Sequence, residues 1–476
     1  MSRPRDPEET KSLRPIIYQS AGVIAAFFVA VVLQKLLYNF VRSKGVAITG
    51  DEPTYIMQAQ ALTHFSVQIL ATITHDLATR VFPNTYPANA TLALVEHYVG
   101  PVGVISPFPP GVSTLLTLFV TILGPVTGSV IGIIILNTAG LIWLHQRVSW
   151  LIRLGGMAQA VLAIAFAMPA ILLAANQIYP DLIVGIVMAV GLVELATIEW
   201  RGKTSALSLT LIAMSIAASP WLQPKNLVPA VIILVAFLFV VFKKQLRLMS
   251  ASIVASISVI SFTLYLLYNQ HYYGHLLGLP EPFPKVTAAG VQYTLGLLFD
   301  RYQGLFVQVP YSLLGLAGLI AYGRRMPVAV LTTILSFMAI LGLNGTYISN
   351  PYGGYSLAGR FMWTLIPISL PWLALVLARF EERRKSLKLP LIVAALVWLY
   401  QAEPIFKGQH GYYNALLADY KRWPSWWEGL AHFLPQFGGN TYYFGTPVWS
   451  LPLELIVEAL VVGALLYWLR TSLQGS

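Results

Sequence analysis

Asp51 and Glu52 stand side by side in ITGDEPTYIMQAQALTHFS, residues 48–66 of a 476-residue chain in which only 10% of residues are charged. A carboxylate in such surroundings has two natural uses. It takes a proton from an attacking nucleophile as a general base, or it occupies the first turn of a helix and favours the dipole there. The spacing permits both. Thr49 lies three residues before Glu52, a capping-box interval, and Pro53 falls where a first turn tolerates proline. Tyr55, Ala59, Leu62 and Phe65 follow at steps of four, three and three, and would line one face of a helix lying along a membrane surface.

Three cations could meet an anionic group near such a base. Lys225 lies in SPWLQPKN, and Arg360 in YSLAGRF, where Gly353, Gly354 and Gly359 would allow close backbone approach. Arg301, in LFDRYQGLFVQVP, has Asp300 beside it as the partner for a plain ion pair. Each also fits a snorkelling side chain at a helix end. Asp181, in Tyr179-Pro180-Asp181, would orient an acceptor, bind a cation or cap a helix. His271 and His275 have the i, i+4 interval of a helical metal pair, with Gly274 between them and no third ligand. Asp51, Glu52, His75 and Asp76 offer an alternative set for a divalent cation; neither set makes a firm cofactor, and no metal site is assigned. Between 403 and 450, Tyr412, Tyr413, Trp423, Trp426 and Trp427 carry the ring faces on which sugar C–H groups stack. An interfacial aromatic belt has the same composition and needs no ligand.

The elements that position these residues are transmembrane helices. With 57% hydrophobic residues and a mean hydropathy of +0.68, the chain is far from soluble-domain usage. Apolar runs recur from 16 to 470, and each is long enough to cross a hydrocarbon core of about 30 Å. Twelve spans are expected, at about 16–40, 126–146, 157–178, 181–199, 205–222, 226–242, 250–270, 304–322, 327–345, 359–380, 387–402 and 451–470. The first reads as an uncleaved span, because its apolar stretch exceeds a signal-peptide core. The absence of cysteine removes disulfides and thiolate metal sites. The net charge of +11 is dispersed in small clusters between apolar runs, a pattern of membrane topology and not of nucleic-acid binding.

Segment 108–124, FPPGVSTLLTLFVTILG, decides the topology. Pro109, Pro110 and Gly111 bound it on one side and Gly124 and Pro125 on the other, leaving it short for a span. If it stays on the outer surface, the clusters Arg147/Arg153, Arg201/Lys203, Lys243/Lys244/Arg247, Arg324/Arg325 and Arg383/Arg384/Lys385/Lys388 all share the side of the basic N-terminus. If it crosses, all of them change side. The positive-inside rule therefore predicts an interfacial helix, both termini cytoplasmic, and the candidate chemistry on the outer face of the cell membrane.

DEPTYIMQAQAL after the first span, PFPPG opening a second short outer helix, and YPD at the outer start of a later span together resemble the GT-C glycosyltransferases. These are integral-membrane enzymes that use polyprenyl-phosphate sugars, among them protein O-mannosyltransferases and aminoarabinose transferases of lipid A. GGYSLAGRFMWTLIPI, residues 353–368, is similar to a segment of bacterial members. The resemblance runs over about 16–380. It implies an all-α polytopic GT-C fold with about twelve transmembrane helices and amphipathic juxtamembrane helices in the first outer loop, 41–125. The chain divides into a catalytic module over 1–400 and, beyond the reach of the resemblance, 401–476, an aromatic-rich outer loop and last span that is a candidate region for acceptor recognition.

Asp51 matches the acidic position such families keep in the first outer loop, and Glu52 is its neighbour. The resemblance implies an inverting, single-displacement glycosyltransferase with Asp51 as base. Arg360, Lys225 and Arg301 would hold the donor phosphate, and Asp181, Tyr55, Trp426 and Trp427 are candidates for the acceptor, which is a glycan, lipid or protein. A carboxylate base makes sense without the family. A departing phosphodiester leaves as a stable anion, so one carboxylate suffices, unlike the two of a retaining glycosidase. Two other functions fit the composition: a lipid or sugar transporter, or a flippase; and a ligase that moves a polymer from a lipid diphosphate.

Overall fold

The structure is a computed structural model that describes residues 51–68, 98–278, 288–300, 303–345, 359–383 and 386–406. The expected first and last spans, Arg301, His75, Asp76, Trp426 and Trp427 lie outside the described residues.

Helix α1 (Glu52–Thr63) leads to a hairpin of β1 (Tyr98–Gly100) and β2 (Gly103–Ile105), antiparallel with Tyr98 opposite Ile105. Then come α2 (Gly111–Leu123), α3 (Pro125–Ile152), α4 (Gly156–Phe166), α5 (Pro169–Ala175), α6 (Pro180–Arg201) and α7 (Ala206–Leu222). A 3-10 turn (Pro224–Asn226) precedes α8 (Leu227–Lys243), followed by α9 (Leu248–Tyr273), α10 (Ala288–Phe299), α11 (Leu305–Gln308), α12 (Pro310–Ala321) and α13 (Pro327–Gly345). The next crossing is built in pieces: a 3-10 turn (Arg360–Met362), α14 (Leu365–Ser369), a second 3-10 turn (Leu370–Trp372) and α15 (Leu373–Glu382). Helix α16 (Lys388–Phe406) closes the described part.

Proline sets many of these starts. It opens α3, α5, α6 and α12, where its missing N–H is an orphan in any case and its φ is preset for a helix. Gly202 and Gly274 end α6 and α9 at φ 62° and 76°, a left-handed conformation that costs glycine little. Pro169 stops α4 from continuing, and α4 and α5 meet at a 56° bend. The indole Nε1 of Trp398 donates to the Ala167 carbonyl at 2.7 Å, satisfying a backbone group at the break.

Among the described residues six helical stretches are long and apolar enough to cross a membrane, or seven counting the bent pair. The chain is an all-α polytopic membrane protein. Ten of the twelve expected spans fall on described residues, and each meets helix there, although α7, α12 and the apolar part of α16 are short and the crossing after Arg360 is broken.

Helix α6 lies at the centre, nearly all of it buried, and the crossing from Arg360 to Glu382 is covered to the same degree. Helix α9 turns Ile253, Ile257, Ile260, Leu264 and Leu267 outward, as a lipid-facing helix does. Close approach joins the two central elements: a Cβ at Gly185 would collide with the Thr364 carbonyl oxygen. Thr364 Oγ1 donates to the Asp181 carbonyl at 2.9 Å in the same contact.

Charge separates the two ends of the bundle. At one end Arg147 grips Glu194 with two hydrogen bonds, Nε to Oε1 at 2.5 Å and Nη2 to Oε2 at 2.7 Å. Nearby, the Glu199 carboxylate accepts the amides of Val328 and Ala329 at the start of α13, and Glu381 accepts the Gly155 amide before α4. Asp181 begins α6 and Arg201 ends it, so the opposite end is about 30 Å away at 1.5 Å per residue.

The short helix α2 stays on the Asp181 side. Gly111 packs against Trp221 and Leu222, at the end of α7 that leads to Lys225, and Gly128 and Gly132 of α3 pack against Phe119 and Leu116 as the two helices run back along each other. Helix α1 is more enclosed than a surface stripe. Residues from Glu52 to Ala59 are buried on every face under α2 and α3, and Phe65, past the helix end, is fully exposed.

Candidate active site

Four sequence-distant residues converge at the Asp181 end. Asp51, just before α1, receives a hydrogen bond from Arg360 Nη1 to Oδ2 at 2.7 Å. Arg360 also points Nε toward Asp181 Oδ2 at 3.8 Å, close enough for an ion pair and too long for a hydrogen bond. Lys225 Nζ donates to Asp181 Oδ1 at 3.2 Å and to Asn344 Oδ1 at 2.9 Å. Gln223 Nε2 donates to the same Asp181 oxygen at 2.9 Å.

Backbone breaks place each of these. Pro180 fixes the first turn of α6 and leaves Asp181 in it, where the helix dipole favours a negative charge. Pro224 turns the chain between α7 and α8 so that Lys225 projects from a 3-10 turn. Gly359 donates its amide to the Gln303 carbonyl at 2.9 Å, anchoring the turn that carries Arg360. Asn344 closes α13 and ties that turn from the other side, its Nδ2 donating to the Phe361 carbonyl at 3.0 Å.

Aromatic rings line the cations. Arg360 lies 4.5 Å from the Tyr179 ring centre and 5.2 Å from that of Phe361, and Lys225 lies 4.3 Å from Phe361 on its own side. One ring thus touches both positive groups, and its face offsets part of their desolvation.

Two acids and two bases balance in charge, but they differ in access. The side chains of Asp51 and Lys225 are each 17% exposed and that of Arg360 12%, whereas Asp181 is sealed at 1%. Of the two carboxylates, Asp51 alone is placed to meet an incoming molecule. Asp181 serves as the fixed counter-ion to which both cations are referred.

The arrangement has a simple chemical capacity. It presents one reachable carboxylate within a hydrogen bond of a guanidinium, beside a second cation. A carboxylate can take a proton there, and two cations can hold a phosphate oxygen.

Three solved chains are similar to this one at a low level. ArnT from Cupriavidus metallidurans in the apo state is 16% identical, with a TM-score of 0.46 over 93% of this chain and 74% of that one. The same protein bound to undecaprenyl phosphate gives 14%, 0.45, 97% and 74%. The archaeal oligosaccharyltransferase AglB from Archaeoglobus fulgidus, in complex with an inhibitory peptide and a dolichol-phosphate, gives 14%, 0.47, 93% and 62%. Likeness at this level says nothing of substrate. No family model and no curated protein sequence matches the chain.

The expected residues separate in space. Asp51, Asp181, Lys225 and Arg360 come together. Glu52 turns away from them, and its Oε1 accepts the buried amide of Ile178 at 2.9 Å. Tyr55 is packed in the core with its ring 4.9 Å from that of Phe108, nearly parallel, and its carbonyl accepts from Ser113. His271 ends α9 beside Tyr272, while His275 follows the left-handed Gly274, so the two histidines do not share one helical face. Among the described residues no three acidic or histidine side chains converge as metal ligands.

Gln223 and Asn344 complete the cluster without having been expected from sequence. Both are single amides at the end of an apolar run, Gln223 two residues before Lys225 and Asn344 closing α13. A polar residue where a span meets a loop is a weak signal that only the fold resolves.

Proposed function

We propose that this chain is an inverting glycosyltransferase that moves a sugar from a polyprenyl-phosphate donor to an acceptor hydroxyl at the outer membrane–water boundary. Asp51 takes the hydroxyl proton as the acceptor oxygen attacks the anomeric carbon. The carbon–oxygen bond to the phosphate breaks on the opposite face of the sugar, and the polyprenyl phosphate leaves with the electron pair. Lys225 and Arg360 offset the charge that gathers on that leaving group. The acceptor is a glycan, a lipid or a protein.

The observation that carries this function is the bridge made by Arg360: one guanidinium within ion-pair distance of the accessible Asp51 and of the sealed Asp181 that also holds Lys225. Base and phosphate cations are thereby within one side-chain length of each other. The resemblance of DEPTYIMQAQAL, PFPPG, YPD and GGYSLAGRF to GT-C enzymes points the same way. Depth supports it too: the cluster lies about 30 Å along α6 from the Arg201 end, close to the thickness of a hydrocarbon core, and a phosphate on a lipid tail resides at such an edge.

The outward orientation of the cluster and cytoplasmic termini follow from the positive-inside rule. In the transporter alternative, acids within the spans would be free to carry cargo or protons. Glu194, the acid deepest in α6, instead has both oxygens taken by Arg147.

Purified protein supplied with polyprenyl-monophosphate and polyprenyl-diphosphate sugars side by side tests the assignment. Transfer from the monophosphate donors alone is expected. Transfer from diphosphate donors alone would make the chain a ligase, and transport without bond formation would remove the enzymatic function.

A further inference from the structure

Arg360 is asked to serve two anions with one positive charge. It donates to Asp51 at 2.7 Å, and, if the proposed function holds, it also receives the donor phosphate. While Arg360 occupies Asp51 Oδ2, that oxygen lone pair is engaged and is not open to an acceptor hydroxyl.

We infer that the donor phosphate and Asp51 compete for Arg360, so that donor binding itself releases the base and the acceptor reacts only in the donor complex. The inference rests on the donor assignment made above and goes beyond it by fixing the order of events. Three features of the site support it. Asp181 is sealed and referenced to both cations, so Arg360 stays tethered at Nε, 3.8 Å from Asp181 Oδ2, when Nη1 leaves Asp51. The guanidinium sits 4.5 Å from the Tyr179 ring, a face along which it can pivot without losing its aromatic contact. Lys225 is already committed to Asp181 and Asn344, so among the described cluster residues Arg360 is the cation whose partner, Asp51, is itself accessible.

The consequence is economical chemistry. With no donor bound, Asp51 Oδ2 is held by Arg360 and closed to water and acceptor. Once the phosphate draws the guanidinium away, Asp51 faces the acceptor side with its lone pairs open. The shared cation links occupancy of one subsite to reactivity at the other with no moving domain.

A double-mutant cycle on binding tests the competition. The probe is undecaprenyl phosphate, titrated by calorimetry into the full chain in detergent. Asp51→Asn removes the competitor for Arg360 and is expected to tighten the Kd about fivefold, the scale of a partly exposed ion pair. Simple charge repulsion between Asp51 and the phosphate would also tighten binding, and the second arm separates the two causes. In an Arg360→Gln background competition is gone, and Asp51→Asn is expected to leave the Kd unchanged. If the Gln variant does not purify as a folded protein, Arg360→Met, which fills the space of the arginine stem, takes its place.

Equal tightening by Asp51→Asn in both backgrounds would overturn the competition and leave only repulsion. Weaker or unaltered binding in Asp51→Asn alone would overturn it as well. In both cases the donor assignment survives, because undecaprenyl phosphate binds. Failure of the wild-type chain to bind undecaprenyl phosphate at all would instead remove the donor assignment, and the competition with it.

Discussion

Replacing Asp181 with Asn keeps the shape of the side chain and takes away the charge around which the cluster is built. An amide oxygen still accepts from Gln223, so the neutral hydrogen bond survives. Lys225 and Arg360 lose their common counter-ion, and the four-residue cluster passes from neutral to a net charge of +1, with Asp51 the single remaining acid. Removing one partner from a buried charge pair costs about 3–5 kcal/mol. Lys225 keeps Asn344 and both cations reach some solvent, which brings the expected loss to about 2–3 kcal/mol, roughly 30- to 150-fold in the folded-to-unfolded ratio. Unfolding free energy measured by SDS titration in mixed micelles reads this directly. The reasoning also predicts non-additivity: Lys225→Met in the Asp181→Asn background should recover part of the loss, because the stranded cation is gone. Simple addition of the two losses, or a stable Asp181→Asn variant, would refute the view of Asp181 as shared counter-ion.

Other consequences follow from the same contacts. Arg360→Glu should lower kcat/KM for the donor by about 100-fold or more, since it turns a phosphate contact into repulsion; steady-state kinetics with varied donor gives the value. Glu52→Ala strands the Ile178 amide and should cost about 1–3 kcal/mol of stability, with Glu52→Gln, which retains an acceptor oxygen, costing less. Thermal denaturation compares the two. Gly185→Ala forces α6 away from the Thr364 carbonyl and should destabilise by about 1–3 kcal/mol, seen in the same SDS titration.

Much of the scaffold could be read in advance because long apolar runs have few alternatives in a bilayer. Pro125, Pro180 and Pro327 begin helices where the apolar runs at 126, 181 and 327 begin, and 108–124 forms a 13-residue helix, too short for a straight span. What periodicity could not tell was how deep α1 lies. The Tyr55–Phe65 stripe suggested a helix resting on a surface, but α2 and α3 cover it, and the chain turns out at Phe65 with φ 55°. Sequence spacing describes the faces of one helix and is silent about a neighbour that folds over it.

The site followed the same division. Asp51, Asp181, Lys225 and Arg360 were each legible as charges at the ends of apolar runs, where charge is expensive and so informative. Their grouping was not legible, because Arg360 lies 309 residues from Asp51 in sequence. Nor were the parts of Glu52 and Gln223. Adjacent acids look alike in sequence, whereas the turn of α1 sends one carboxylate to a backbone amide and leaves its neighbour facing Arg360.

The central claim is that Asp51 carries the proton in glycosyl transfer. Cells lacking this chain, complemented with wild type or with Asp51→Asn and analysed by mass spectrometry of their surface glycans, lipids and proteins, test it most directly. The wild-type chain is expected to restore a sugar modification that Asp51→Asn does not restore, even though the variant still binds undecaprenyl phosphate. Full restoration of that modification by Asp51→Asn would contradict the account.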